Sequence, residues 1–431
     1  MQLLKYLYLS SVLLAGSGFA VTLSWDEVLT FTIQGNPELE ASQREWLAAK
    51  QTESSAWGLY LPNLSASTSA TRTGSTNNGP GGVVTNGVVV NTGNNINTNY
   101  LAALNLNQNI FNGLEDQARI NQASWLTKNK FWSYIITKAS VSSSLKEAFA
   151  NLVYAQELVD LSQNILDRRE SNLKLVSVRY DNGRENKGSV LLADAYLAQA
   201  ELDLTRARDG LKVAQVTLKT LMNKEHLDEI TVSGEVPLIP LKTKRDDFED
   251  LATQTPAYNQ AHATQMVAQQ DIKISRSAFL PDLNFTSQLN RQGDTYFPER
   301  ERWSMALTLT IPIFDGFKDL GTYRSSVESS YASESRKRST HLSLIPRLRD
   351  ALNLAKQSDI KYSIDLKFEA AASIRAEIAR KKYNNGLISF EDWDIIESEL
   401  ITRQMNLLQS KKDRVIRYAS WENILGKGSI P

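Results

Sequence analysis

Four stretches of the chain alternate apolar and small polar residues with a period of two. Leu64, Ala66, Thr68 and Ala70 interleave with Ser65, Ser67, Ser69 and Thr71; Tyr100, Ala102, Leu104 and Leu106 interleave with Asn99, Leu101, Ala103, Asn105 and Asn107. Far downstream, Phe285, Ser287 and Leu289 alternate with Asn284, Thr286, Gln288 and Asn290. Trp303, Met305, Leu307, Leu309, Ile311 and Ile313 alternate with Ser304, Ala306, Thr308 and Thr310. This period marks β-strands whose two faces meet different surroundings. No Lys, Arg, Asp or Glu enters any of the four stretches. Their length and missing charge suit membrane-spanning β-strands, which need about 9–11 tilted residues. Trp57, Tyr60, Phe111, Phe279 and Phe314 bound them on one side, and Tyr296, Phe297 and Trp303 on the other, as in the two aromatic girdles of an outer-membrane barrel. A soluble antiparallel sheet with one wet face has the same period; the export signal described below, and a polar face without charge, favour the barrel. Four strands cannot close one, since roughly eight is the bacterial minimum. An open edge cannot face lipid with its N–H and C=O groups unpaired, so several chains must share one barrel.

Between the strands the period changes. Leu114 to Tyr180 holds neither Pro nor Gly, which predicts one helix of roughly 100 Å at ~1.5 Å per residue. A returning helix is predicted over Ser189–Asn223. There Val190, Leu197, Leu204, Leu211 and Leu218 recur every seven residues, as do Ala193, Ala200, Ala207, Ala214 and Leu221. Leu145, Leu152, Val159, Leu166, Leu173 and Tyr180 keep the same spacing on the outgoing helix, the signature of a coiled coil. The pattern returns over Phe317–Tyr383 and Ser389–Leu425, with Pro346 expected to kink or interrupt the first of these. Shorter helices over Pro37–Ser55 and Ala257–Arg276 are expected to stack end to end with the returning ones.

The chain is a duplication. Asn36-Pro37 and Leu61-Pro62-Asn63-Leu64 recur 219 residues later as Thr255-Pro256 and Leu280-Pro281-Asp282-Leu283. Ile110-Phe111-Asn112-Gly113 and Tyr180-Asp181-Asn182-Gly183 recur 203 residues later as Ile313-Phe314-Asp315-Gly316 and Tyr383-Asn384-Asn385-Gly386. The length change falls in Gly74–Asn99, a polar Gly/Asn/Thr-rich segment. The expected division is a first repeat over 21–235 and a second over 236–431, joined through the connector Glu225–Asp247.

Residues 1–20 read as an export signal: Lys5 supplies the positive start, Leu7–Ala15 the short apolar run, and Gly18-Phe19-Ala20 the cleavage site. Charge is balanced at 48 Lys+Arg against 48 Asp+Glu, which gives no basic face for a nucleic acid. Zero cysteines exclude disulfides, thiolate metal sites, cysteine nucleophiles and N-terminal lipidation, and three scattered histidines leave little for a metal centre. No phosphate loop, zinc-protease or nucleophile-elbow motif is present, and the Asp246-Asp247 pair reads as solvated charge. The expectation is a protein that is not an enzyme and uses no cofactor or metal. The competing reading is a soluble periplasmic coiled-coil adaptor or scaffold, which would lack the four charge-free strands.

Taken together, the Asn36-Pro37-Glu38-Leu39 opening, the Leu-Pro-x-Leu strand entries, the Phe-[Asn/Asp]-Gly strand exits and the Tyr-[Asp/Asn]-Asn-Gly turns, duplicated and in order, resemble the TolC-type outer membrane efflux protein family over nearly the whole chain. The resemblance implies a mainly α fold with β: a long α-helical coiled-coil barrel plus four transmembrane β-strands per chain. Three chains would assemble into a twelve-stranded β-barrel in outer-membrane lipid and a twelve-helix periplasmic tunnel. It implies a passive homotrimeric exit channel of the bacterial cell outer membrane, working with a periplasmic adaptor and an inner-membrane transporter in drug efflux or type I secretion. It places adaptor docking at the turns, on Tyr180, Asn182, Gly183, Ser189, Tyr383, Asn385, Gly386 and Ser389. It matches Tyr383 to the family's gate tyrosine and Asp392 to a constriction aspartate, with Glu391 and Asp394 beside it. Departures are Ile388 at the gate-arginine position, Ile395 at the second aspartate position, three extra residues in the first turn, and Leu191 where an aspartate is expected. A bland reading of Glu391 and Asp392 is first-turn acids favoured by the helix dipole. Asn105, Asn107, Thr308 and Thr310 are expected to line the barrel lumen.

Overall fold

The computed structural model describes residues 21–75, 83–85, 88–90, 95–241 and 248–431. The export signal expected over 1–20, parts of Gly74–Asn99 and the Asp246-Asp247 pair lie outside the described residues. In chain order the elements are β1 (Val21–Ser24), α1 (Trp25–Gly35), α2 (Pro37–Ala56), a 3-10 turn (Trp57–Tyr60), β2 (Asn63–Ser75), β3 (Val83–Thr85), β4 (Val88–Val90), β5 (Asn95–Asn112), α3 (Glu115–Asp181), α4 (Lys187–Leu221), β6 (Ile230–Ser233), α5 (Phe248–Gln254), α6 (Pro256–Ser277), β7 (Asp282–Gly293), β8 (Arg300–Thr310), α7 (Lys318–Asn384) and α8 (Phe390–Ile424). The mainly helical fold with a small β part is as expected. Helices α3 and α7 have 67 residues each, and α4 and α8 have 35 each. No described helix is long and apolar enough to cross a membrane. The chain forms two compact units, each drawing on both halves of the sequence.

One unit, Arg44–Trp132 with Tyr258–Thr340, holds an antiparallel sheet of order β2-β5-β7-β8. Its register groups residues into faces. Ser65, Asn105, Gln288 and Ser304 form one row across the sheet, and Asn63, Asn107, Thr286 and Ala306 the next. The opposite face carries Ala66, Leu104, Leu289 and Trp303 in one row and Leu64, Leu106, Ser287 and Met305 in another. Trp303 and Met305 are 74% and 66% exposed, so this apolar face has nothing packed over it. Strands β2 and β8 end the sheet, and among the described residues neither has a partner on its outer side. Strand β8 stops at Thr310, although the alternation runs to Ile313. Pro312 has no N–H to give to a ladder, so the pattern outlasts the strand. The strands also extend beyond the charge-free stretches, so that Arg291, Arg300, Glu301 and Arg302 stand at one end of the sheet.

The other unit comprises the described residues up to Gln43, Ser133–Ala257 and His341–Pro431. Strand β1 pairs in parallel with β6 of the connector, a two-stranded sheet that the sequence reading did not include. Its Leu23, Ile230 and Val232 pack with Leu145, Phe149 and Leu152 of α3 and Leu218 of α4, and Trp25 meets Phe149 edge-on at 5.3 Å. Helix α1 begins in a capping box: Ser24 Oγ accepts from the Glu27 N–H, while Glu27 Oε2 accepts from the Ser24 N–H at 2.8 Å. Asn36 serves two helices. Its Oδ1 accepts from the Leu39 N–H at the start of α2, and its Nδ2 donates to the Leu221 carbonyl at the end of α4, each at 3.0 Å. A Cβ on Gly35 would stand 2.6 Å from the Met222 carbonyl oxygen, so this close junction requires glycine. Pro256 likewise lies against Gly426 at the end of α8. The shorter helices thus start where the returning ones finish, as the repeat predicts.

Helix α7 is not interrupted at Pro346. A proline costs about 3 kcal/mol in a helix interior, but Leu344, Leu348, Leu352 and Ala355 around it are almost fully buried and hold the helix through the fault. On α3 the deepest seam is Ala148, Ala155, Ser162, Arg169 and Val176, spaced by seven residues. It runs beside the leucine seam read from sequence and is made mostly of small and polar residues.

Candidate gate at the helical turns

The two helix–helix turns are built alike. After α3, the Gly183 N–H donates to the Tyr180 carbonyl and the Arg184 N–H to that of Arg179; Gly183 has φ +69°. After α7, the Gly386 N–H donates to the Tyr383 carbonyl and the Leu387 N–H to that of Lys382, with Gly386 at φ +74°. Both are Schellman closures, whose left-handed residue favours glycine. Three residues after each glycine comes an N-cap: Asn186 Oδ1 accepts from the Ser189 N–H at 2.9 Å, and Ser389 Oγ from the Asp392 N–H at 3.1 Å. This corrects the expectation of three extra residues in the first turn. Asn and Ser cap helices equally well, so aligning Ser189 with Ser389 shifts the register. The structural counterpart of Ser389 is Asn186, of Ile388 is Glu185, and of Asp394 is Leu191.

The paired tyrosines differ. Tyr180 is 41% exposed and Tyr383 only 1%. Tyr383 Oη donates to Glu185 Oε2 at 2.9 Å, its ring stacks on Trp393 at 4.4 Å with 14° between planes, and the Arg179 guanidinium lies 4.4 Å over the same ring. Arg179 also donates to the Tyr383 carbonyl. Burial first, then the bond to Glu185, raises the phenol pKa, so Tyr383 stays protonated and remains a donor. Val176, Ala193, Ala379 and Phe390 close this small core, to which α3, α4, α7 and α8 all contribute.

One turn of α8 further on lies a buried ion pair. Arg169 Nη1 donates to Asp394 Oδ1 at 2.8 Å and Nη2 to Ser398 Oγ at 3.1 Å, while the guanidinium also covers the Tyr196 ring at 4.5 Å. Burial, reinforced by a hydrogen bond to Asp394, raises the Tyr196 pKa. Asp394 is therefore engaged within its own chain. Glu391 and Asp392 are exposed on the first turn of α8, and neither carboxylate has a hydrogen bond or ion pair among the described residues.

Of the other turn residues, Asn182, Gly183, Asn385, Gly386 and Ser389 are exposed. Ser189 is buried and donates to Glu185 Oε1 at 3.0 Å. Asn105, Asn107 and Thr308 fall on the polar face of the sheet, and Thr310 faces Asp282 at its end. Arg169, Arg179, Glu185 and Trp393 escaped the sequence reading. A charged residue on a seven-residue seam, as Arg169 is, was the one available sign.

The sequence matches the family model described as outer membrane efflux protein over residues 29–224 and 249–427. The cobalt-zinc-cadmium resistance protein CzcC of Cupriavidus metallidurans is 21% identical over 309 residues, 71% of this chain and 70% of that protein. A membrane protein from Pseudomonas aeruginosa has the same fold with a TM-score of 0.81 at 16% identity, over 95% of this chain and 92% of that one. The Campylobacter jejuni CmeC outer membrane channel gives a TM-score of 0.79 at 17% identity, over 94% and 85%. A family match over most of the chain sets aside the soluble adaptor reading: the chain belongs to the outer membrane efflux protein family and is an efflux channel of the outer membrane.

Proposed function

We propose that three copies of the chain form one passive conduit from periplasm to exterior, serving an inner-membrane transporter through a periplasmic adaptor and performing no chemistry itself. The carrying observation is the sheet with a bare apolar face and two free edges. In lipid those edges must be paired, and other copies of the same sheet can pair β8 of one chain with β2 of the next. The division into repeats 21–235 and 236–431 belongs to this reading and is supported by the equal helix lengths. Mass measurement of the detergent-purified mature protein tests it: a trimer is expected, and a monodisperse single copy would remove the channel wall.

The gate lies at the turns. Tyr383, clasped by Arg179 and Glu185, holds the second turn against the first. Asp392, with Glu391, presents free carboxylates that threefold symmetry would bring together as a like-charge ring attracting cations. The exposed turn residues, with Leu387 at 71% exposure between them, are the adaptor's landing points. In planar bilayers Asp392→Ala is expected to abolish block of single-channel current by divalent cations. Undiminished block would take Asp392 out of the constriction.

A further inference from the structure

The polar face of the sheet is almost without charge, and its few charges are unevenly placed. Across β2, β5, β7 and β8 the register leaves three charged positions on that face: Asp282 at the helix-proximal end, and Arg300 and Arg302 at the far end. Arg302 stands in the row of Ser67, Ala103 and Asn290, and Arg300 in that of Ser69, Leu101 and Gln292. Both guanidiniums are exposed, and neither has an ion pair or hydrogen bond among the described residues. On the opposite face Arg291 is paired to Glu301. Arg72 also falls on that opposite face, across from Thr98. Between Arg72 and Glu115 the sequence has no charged residue of either sign, so the segment joining β2 to β5 adds no counter-charge. Asp294 and Glu299 lie off the ladder, in the turn between β7 and β8.

Helices α6 and α7 leave the sheet at its Asp282/Thr310 end, so in the family's orientation the arginines stand at the exterior end. We propose that Arg300 and Arg302 form a basic collar inside the outer mouth of the channel that favours the passage of anionic solutes. This rests on the trimeric conduit with the polar face turned inward. Adjacent same-face residues on a strand are ~6.7 Å apart, so three chains would set six unpaired guanidiniums in two close rings. A ring of one sign in a confined aqueous pore concentrates counter-ions.

The test is the reversal potential of reconstituted channels under a potassium chloride gradient. The double variant Arg300→Gln/Arg302→Gln is expected to lower the anion-to-cation permeability ratio roughly threefold near 0.1 M salt, where the screening length is ~10 Å, and to change nothing near 1 M, where it is ~3 Å. Arg300→Lys/Arg302→Lys is expected to keep the wild-type ratio. An unaltered ratio in the glutamine variant at low salt overturns the collar. Asn105→Cys, treated with a membrane-impermeant thiol reagent, separates the two levels. Loss of current on labelling supports the inward polar face, so that a failed collar would fail alone; no loss of current would overturn both.

Discussion

Glu422→Ala is expected to destabilise the protein by about 3–5 kcal/mol, the cost of breaking a buried ion pair from one side. Lys146 Nζ lies 2.6 Å from Glu422 Oε2 and 3.0 Å from the Pro237 carbonyl, and the two side chains are 1% and 3% exposed. Glu422 Oε1 also accepts from the Ile239 N–H at 3.4 Å. The pair therefore ties α3 and α8 to the connector. Alanine would leave an ammonium sealed from water with one carbonyl for company. Replacing both partners by apolar residues of similar size, Lys146→Met with Glu422→Leu, is expected to recover most of the loss, because no uncompensated charge remains. Helical circular dichroism followed through guanidinium unfolding compares the three proteins. Equal midpoints for Glu422→Ala and wild type would show that the pair contributes nothing to stability.

The second large effect separates two adjacent residues. Leu104 shares the apolar face with Ala66 and Leu289, while Asn105 shares the polar face with Ser65 and Gln288. Leu104→Arg is expected to cost about 2–4 kcal/mol, the range for a basic residue facing lipid near the bilayer midplane, and to abolish heat-resistant oligomers in the membrane fraction. Asn105→Arg, one residue along, is expected to assemble normally and to lower conductance. Equal assembly of both variants would mean that neither face meets lipid.

The β part of this fold was legible because period two survives wherever one face must differ from the other, and a charge-free run of that kind has few homes. It misled only at Ile311–Ile313, where apolar alternation continued past a proline that ends the ladder. The long helices were legible through the absence of Pro and Gly. The interruption expected at Pro346 does not occur, because local propensity was set against a helix buried on both sides of it. Strand β1 stayed hidden: it has four residues, and its partner Ile230–Ser233 lies some two hundred positions away. The candidate gate was half legible. Tyr383 and the turn glycines carry their motif with them. Arg179, Glu185 and Arg169 each meet a partner that folding brings from the other half of the chain, and in one dimension Arg179 and Glu185 look like solvated charge on a helix.

The two turns share a backbone yet not a chemistry. Between glycine and cap, the first presents Arg184 and Glu185 and the second Leu387 and Ile388, at matched positions on the same Schellman scaffold. Under the proposed docking, a partner would meet one mould in two materials, one ionic and one greasy. Identical adaptor copies could seat against both only with a contact surface tolerant of either, or by adopting two alternating poses.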